Sequence, residues 1–259
     1  MLLPFHDDNP TRGTPWATYT IIAINLLAFL WLLQLPAPRQ QELFFTSGFV
    51  PARLTNLDNP RPIPIAGQPG LALAPMDRQQ VLWSLVTCMF LHGGWLHLIG
   101  NMWFLWIFGD NVEDRLGGIV FLIFYLVGGI LASLCHWMIV RGSPAATMPV
   151  VGASGAVATI LGAYAISWPW ARIHTLVFLF IFITVIDLPA LLVLGVWFLG
   201  QLLSIAAADQ ELVNNVAWWA HIGGFVSGMI AMPLLSNLLG VPHGDAGDFA
   251  DVEVVDEYR

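Results

Sequence analysis

Ser154 stands in Gly152-Ala153-Ser154-Gly155 and His221 in Ala220-His221-Ile222-Gly223-Gly224, each at the start of a long apolar stretch. A serine hydroxyl is a weak nucleophile at neutral pH and needs a base beside it; histidine is the usual one because its pKa lies near the operating pH. Small residues around Ser154 let a peptide backbone approach closely, and the unpaired N–H groups of a first helical turn can receive a developing oxyanion. The same pattern also serves close helix packing in membranes, where Gly224 and Gly228 make a small-xxx-small pair, so Gly-x-Ser-Gly alone leaves both uses open. His97 and Asn101 are the third polar feature. Four residues apart, they share one helix face at the start of another apolar stretch, where they could donate to an oxyanion or hydrogen-bond between helices. Polar groups within such stretches are functional candidates by default.

The elements that must carry these residues are membrane helices. The chain is 57% hydrophobic and only 10% charged, with a mean hydropathy of +0.73, whereas a soluble domain carries roughly a quarter charged residues. Stretches able to cross about 30 Å of hydrocarbon run over 17–35, 117–140, 150–170, 188–208 and 217–239, with a shorter one over 94–108. They predict an all-α polytopic membrane protein of six spans. The first span reads as a retained signal anchor, too long for a cleaved signal core. It follows a polar segment, 1–16, and the membrane domain covers 17–239. A long connection, 36–93, holds Asn59-Pro60-Arg61-Pro62-Ile63-Pro64 and then, over 78–90, a helical alternation suited to the membrane interface.

The apolar run 175–186, read as a helix, reaches only about 18 Å, too short to cross. Ser154 and His221 both begin their helices, so they share a membrane face only if an odd number of spans separates those helices. The run is therefore expected to be interfacial or re-entrant. With the first span running outward, Ser154, His221, His97 and Asn101 all fall at the outer face. Orientation has little support from charge, since all nine basic residues are Arg and are scattered along the chain. The net charge of −8 owes much to the tail, 240–259, which reads as acidic and disordered. No basic stripe points to nucleic acid, and Cys88 and Cys135 make neither a disulfide framework nor a metal spacing.

Taken together, the motifs resemble the rhomboid family of intramembrane serine proteases over nearly all of 17–239. The matching pieces are Gly48-Phe49-Val50-Pro51-Ala52, Phe90-Leu91-His92 followed by His97-x-x-x-Asn101, Val112-Glu113-Asp114-Arg115-Leu116-Gly117, Gly152-Ala153-Ser154-Gly155 and Ala220-His221-Ile222-Gly223-Gly224. The resemblance implies a six-helix bundle with a long first loop. It implies Ser154 as nucleophile, His221 as general base, and Asn101, His97 and the Ser154 backbone N–H as the oxyanion hole. Glu113 and Arg115 would be structural. It also implies a bacterial plasma membrane with the site open to the outer face, single-pass membrane proteins as substrates, and no cofactor. Two departures stand out: Trp83 is followed by Ser84 where many rhomboids have Trp-Arg, and Ala158 replaces an aromatic that often supports the base.

The remaining acids and histidines have blander expectations. Asp187 is expected on the other membrane side from Ser154, as a helix N-terminal anion. His136 reads as a structural histidine of the third span, and His6, His174 and His243 have no evident partner. His-Glu-x-x-His is absent, and His92 and His97 lack a third ligand, so metal chemistry is not expected. Two other classes are weighed. An inactive rhomboid-like escort would typically lack the serine or histidine. A small transporter would be expected to show broken helices, internal repeats or paired intramembrane charges, and the chain shows no such repeat.

Overall fold

The computed structural model describes residues 2–65, 70–179, 182–207 and 217–241; the acidic tail from residue 242 on, with His243, lies outside them. In chain order, strand β1 (Leu2–Asp7) precedes helix α1 (Trp16–Leu33), then α2 (Ala37–Ser47), α3 (Pro51–Thr55), the short strands β2 (Ile63–Pro64) and β3 (Ala72–Leu73), and α4 (Arg78–Thr87). The long helices α5 (Trp95–Leu116), α6 (Gly118–Val140) and α7 (Ser154–Ser167) follow, then strands β4 (Arg172–Leu179) and β5 (Phe182–Pro189), and finally α8 (Ala190–Ala207) and α9 (Trp218–Leu239). The chain is a polytopic helical bundle with a small sheet at one end.

Its outer surface is apolar. Ile119, Ile123, Val127 and Leu131 of α6 are exposed at every fourth residue, as are Val226, Ile230, Leu234 and Leu238 of α9. In water such stripes would be a large sticky surface; in lipid they are an ordinary exterior. Helices α1, α6 and α9 are long and apolar enough to cross by themselves, while α4 with the turn after it and α5 form a pair bent by 82°. The 14 residues of α7 reach about 21 Å, so this helix is shorter than the expected stretch 150–170.

Glu113 explains where α1 begins. Its buried carboxylate on α5 accepts from the backbone N–H groups of Ala17 (2.9 Å) and Thr18 (2.7 Å), satisfying donors that a helix start leaves unpaired. Arg115, two residues on, lies over the Trp168 ring at 5.2 Å. The long connection is anchored by Arg53 of α3, whose buried guanidinium donates to the carbonyls of Phe45 and Ala74. Trp83, by contrast, is exposed. Asp77 caps α4 by accepting from the Gln80 N–H at 2.8 Å.

The run 175–186 corrects the helical reading. Its described residues, 175–179 and 182–186, lie in the antiparallel pair of β4 with β5, on which β1 adds as an edge strand in the order β1-β4-β5. The polar segment 1–16 thus contributes a strand. The physical reason is composition: Ile173, Thr175, Val177, Thr184, Val185 and Ile186 are β-branched and fit a pleated sheet better than a helix. Asp187 is likewise not at a helix start but within β5, paired with His174 of β4.

The sheet sits at the opposite end of the bundle from Ser154. The Tyr164 hydroxyl, near the C-terminal end of α7, donates to the Asp7 carboxylate, which burial holds up at about 6. Arg172 pairs with Pro189 across the hairpin, and Ala190 N–H donates to the Ala171 carbonyl at 2.8 Å. Helix α8 therefore starts where α7 ended and returns the chain to the Ser154 end, where α9 begins. One helix separates the two, the odd number that the shared face requires.

Backbone contact between α7 and α9 sets the distance between Ser154 and His221. A Cβ on Gly228 would lie 1.9 Å from the Thr159 carbonyl oxygen, one on Gly162 1.9 Å from that of Phe225, and one on Gly224 2.2 Å from that of Gly155. Gly228→Val is therefore expected to force the helices apart at a cost of about 1–3 kcal/mol. Thermal unfolding in detergent micelles would read this as a lowered Tm; an unchanged Tm would show that the contact yields freely.

Candidate active site

Ser154 is the first residue of α7 and His221 lies in the first turn of α9. Their side chains meet: His221 Nε2 is 2.8 Å from Ser154 Oγ. His221 is buried and Ser154 half-buried, so the pair sits inside the bundle yet within reach of one face.

What positions His221, given Ala158, is Gln201 of α8. The His221 Nδ1 is 2.7 Å from Gln201 Oε1. The Gln201 amide N–H donates to the Trp197 carbonyl at 3.2 Å, and a carbonyl only accepts, so the amide orientation is set and Oε1 faces the ring. His221 Nδ1 must then carry the hydrogen, leaving the Nε2 lone pair for the Ser154 hydroxyl. That is the tautomer a general base needs. Trp197 and Trp218 also flank the ring, at centroid distances of 6.1 and 5.7 Å, in place of the aromatic absent at position 158. No spacing in the chain links Gln201 to His221; the one sequence signal for it is a lone amide in an otherwise apolar stretch.

The donors His97 and Asn101 are brought to the same place. Gly152 has φ +116, a left-handed conformation that L side chains rarely adopt. A Cβ there would lie 2.5 Å from His97 Nε2 and 3.6 Å from Asn101 Nδ2. Both side chains therefore point at the backbone just before Ser154. His92, fully buried, organises them. The Ala153 N–H donates to His92 Nε2 at 3.4 Å, so that nitrogen is an acceptor and also receives Asn101 Nδ2 at 3.1 Å. One amide hydrogen of Asn101 is held by His92 and the other is left to donate elsewhere. The His92 and His97 rings meet edge to face at 5.1 Å.

The loop closes over this end of the bundle. Phe49 and Val150 exchange both backbone hydrogen bonds (3.0 and 2.7 Å), and Gly152 N–H donates to the Cys88 carbonyl at 2.9 Å. The motif Gly48-Phe49-Val50 thus holds the segment leading into Ser154. His136 is buried on α6 and makes no contact with Ser154 comparable to that of His221. Asp187 is at the sheet end, apart from Ser154.

The arrangement is a hydroxyl with an oriented base, beside convergent N–H donors, in an apolar bundle. Such a set can add a serine oxygen to a carbonyl and hold the resulting oxyanion. If Gln201 orients the base, Gln201→Leu should lower kcat by roughly 10- to 100-fold with KM nearly unchanged, less than the ~10⁴ of a triad forced into the wrong tautomer. Gln201→Glu keeps an acceptor at the same reach and should recover most of the loss. Equal rates for both variants and wild type would remove Gln201 from the account.

Comparison with known proteins gives the family. Residues 79–238 match the Rhomboid domain family. Rhomboid-like protein 11, chloroplastic, of Arabidopsis thaliana is 30% identical over 170 residues, covering 60% of this chain and 53% of that protein. RHOMBOID-like protein 1 of the same plant is 24% identical over 227 residues, 83% of this chain and 52% of its own. Rhomboid protein 1, mitochondrial, of Saccharomyces cerevisiae is 30% identical over 150 residues, 57% and 40%. The chain spans about half the length or less of these relatives. Those whose names give a compartment are chloroplastic or mitochondrial, so the expectation of a bacterial plasma membrane draws no support from them. With its domain match covering most of the bundle that carries Ser154 and His221, the chain belongs to the rhomboid family.

Proposed function

We propose that the chain is an intramembrane serine endopeptidase that cuts transmembrane segments of single-pass membrane proteins, with Ser154 as nucleophile and His221 as general base. The observation that carries the reading is the 2.8 Å contact of His221 Nε2 with Ser154 Oγ, with Nδ1 committed to Gln201. In this reading α1 and α5 to α9 are six spans, and the site opens to the non-cytoplasmic face.

Catalysis follows from the geometry. His221 Nε2 takes the Ser154 proton as Oγ attacks the substrate carbonyl, and the oxyanion is received by the Ser154 backbone N–H, Asn101 Nδ2 and His97. The imidazolium then gives its proton to the leaving amine, and a water activated by the same base releases the acyl group. A peptide bond inside a helix has its carbonyl already hydrogen-bonded, so the substrate must unwind before it can be attacked. Gly, Pro or polar residues near the cut lower that cost. None of these steps uses a cofactor.

Labelling with a fluorophosphonate probe tests the reading. Wild-type protein in micelles should be labelled at Ser154, Ser154→Ala should not be, and only the wild type should cleave a reporter transmembrane helix. A folded wild-type protein that resists labelling and leaves the reporter intact would instead be an inactive binding or escort protein of the family.

A further inference from the structure

A second cluster of chemically able side chains lies at the far end of the molecule, on the exposed face of the sheet. The register pairs His6 of β1 with His174 of β4 and His174 with Asp187 of β5. Directly opposed residues share a sheet face, so the three form a row across all three strands. Asp8 continues the ladder, its N–H donating to the Arg172 carbonyl at 3.0 Å, and lies two residues from His6 on the same face.

A β-bulge creates this row. Pro4 pairs with Thr175 and His6 with His174, so Phe5 is the extra residue. Without the shift Phe5 would oppose His174, and His6 would oppose Ile173, which is fully buried. The bulge turns His6 to the exposed face, a re-aiming for which bulges are commonly used.

We propose that His6, Asp8 and His174 form a binding site for one divalent transition-metal ion, with Zn2+ the ion their donors fit best. One ligand atom from each lies within 4.8 Å of the others. The His6 and His174 rings lie nearly parallel, 17° apart with centroids at 5.6 Å, and His174 Nε2 is 2.7 Å from Asp8 Oδ1. Ligands of a tetrahedral Zn2+ stand about 3.3 Å apart, at bond lengths near 2.0 Å, so modest side-chain rotation completes the set. Two imidazoles and a carboxylate are donors of borderline softness, and exposure leaves a fourth position for water. Asp187 supplies the support such a ligand usually has. It is 2.6 Å from His174 Nδ1, which places the hydrogen on Nδ1 and leaves Nε2 for the metal. In the metal-free protein the bond to Asp187, followed by that to Asp8, holds the His174 pKa above its ordinary value; the ion takes the place of the Nε2 proton. His6 and Asp8 are two residues apart while His174 lies more than 160 residues on, which is why no spacing motif announces the set. Bound metal would staple the edge strand β1 to the hairpin.

The test uses the full chain without a polyhistidine tag, in detergent micelles, titrated with Zn2+ by calorimetry and with Co2+ by its visible absorption. One ion per chain is expected, with the absorption of a tetrahedral nitrogen and oxygen site. His6→Gln and His174→Gln should each weaken binding by about 100-fold or more, and Asp187→Asn by about 10- to 100-fold at unchanged stoichiometry. His6 is exposed on an edge strand, so its replacement leaves the bundle folded, and the Tm of the metal-free variant checks this. Failure of the wild type to bind either ion would overturn the site. So would equal binding by wild type, H6Q and H174Q, which would place the ion elsewhere, such as the His92, His97 and His221 group. Neither readout depends on peptide-bond cleavage.

Discussion

Replacing Ser154 or His221 by alanine is expected to abolish cleavage of a reporter transmembrane helix, with kcat/KM falling by about 10⁴–10⁶. Either change removes half of a proton-transfer pair whose atoms are 2.8 Å apart. The double variant should be no worse than the worse single one, because a nucleophile without its base and a base without its nucleophile fail at the same step. Folding should survive. Ser154 is a small side chain at a helix start, and the α7 and α9 seam is made by glycine contacts that neither substitution touches. Reporter cleavage in membranes, with Tm in micelles as the control, provides the measurement. Turnover near wild type in either folded variant would end the dyad assignment.

Asn101→Ala should be slow but measurable, with kcat lowered by about 10²–10³ and KM little changed, because an oxyanion donor acts mainly on the transition state. The Ser154 N–H remains, so the hole is weakened rather than lost. His97→Ala should be similar or milder. In both variants Ser154 should still react with a fluorophosphonate, though more slowly. The structure adds a way to separate chemistry from packing. His92 holds one amide hydrogen of Asn101 and also accepts from Ala153 N–H, so His92→Ala should reproduce part of the Asn101 defect by misorienting the amide. Wild-type rates with reduced Tm in Asn101→Ala and His97→Ala would make these residues structural hydrogen-bonding partners instead.

The proposed metal site and Ser154 lie at opposite ends of the bundle. The tie between them is α7, which begins at Ser154 and meets Asp7 through Tyr164. Asp7 is the residue between the two ligands His6 and Asp8 on β1. Its side chain is buried while theirs are exposed, the alternation expected of a strand with one face on the core.

By itself, the sequence determined the class of molecule and pointed to the side chains proposed to react. Apolar runs long enough to cross lipid announce helices because only a helix satisfies its own backbone there, and α1, α6 and α9 fall within two residues of the expected stretches. Ser154, His221, His97 and Asn101 are legible because polar groups in such runs are few, and Ser154 and His221 also because small residues flank them. Tertiary structure decided everything that depends on long-range register. Whether 175–186 is helix or strand turns on its pairing with a distant N-terminal segment, and β-branched residues in an apolar run satisfy either reading until that partner is present. Gln201 became the partner of His221 only when α8 and α9 packed, because a hydrogen bond between helices leaves no spacing in the chain. His6, Asp8, His174 and Asp187 came together only through a bulged register across three strands, a one-residue shift that no local pattern encodes.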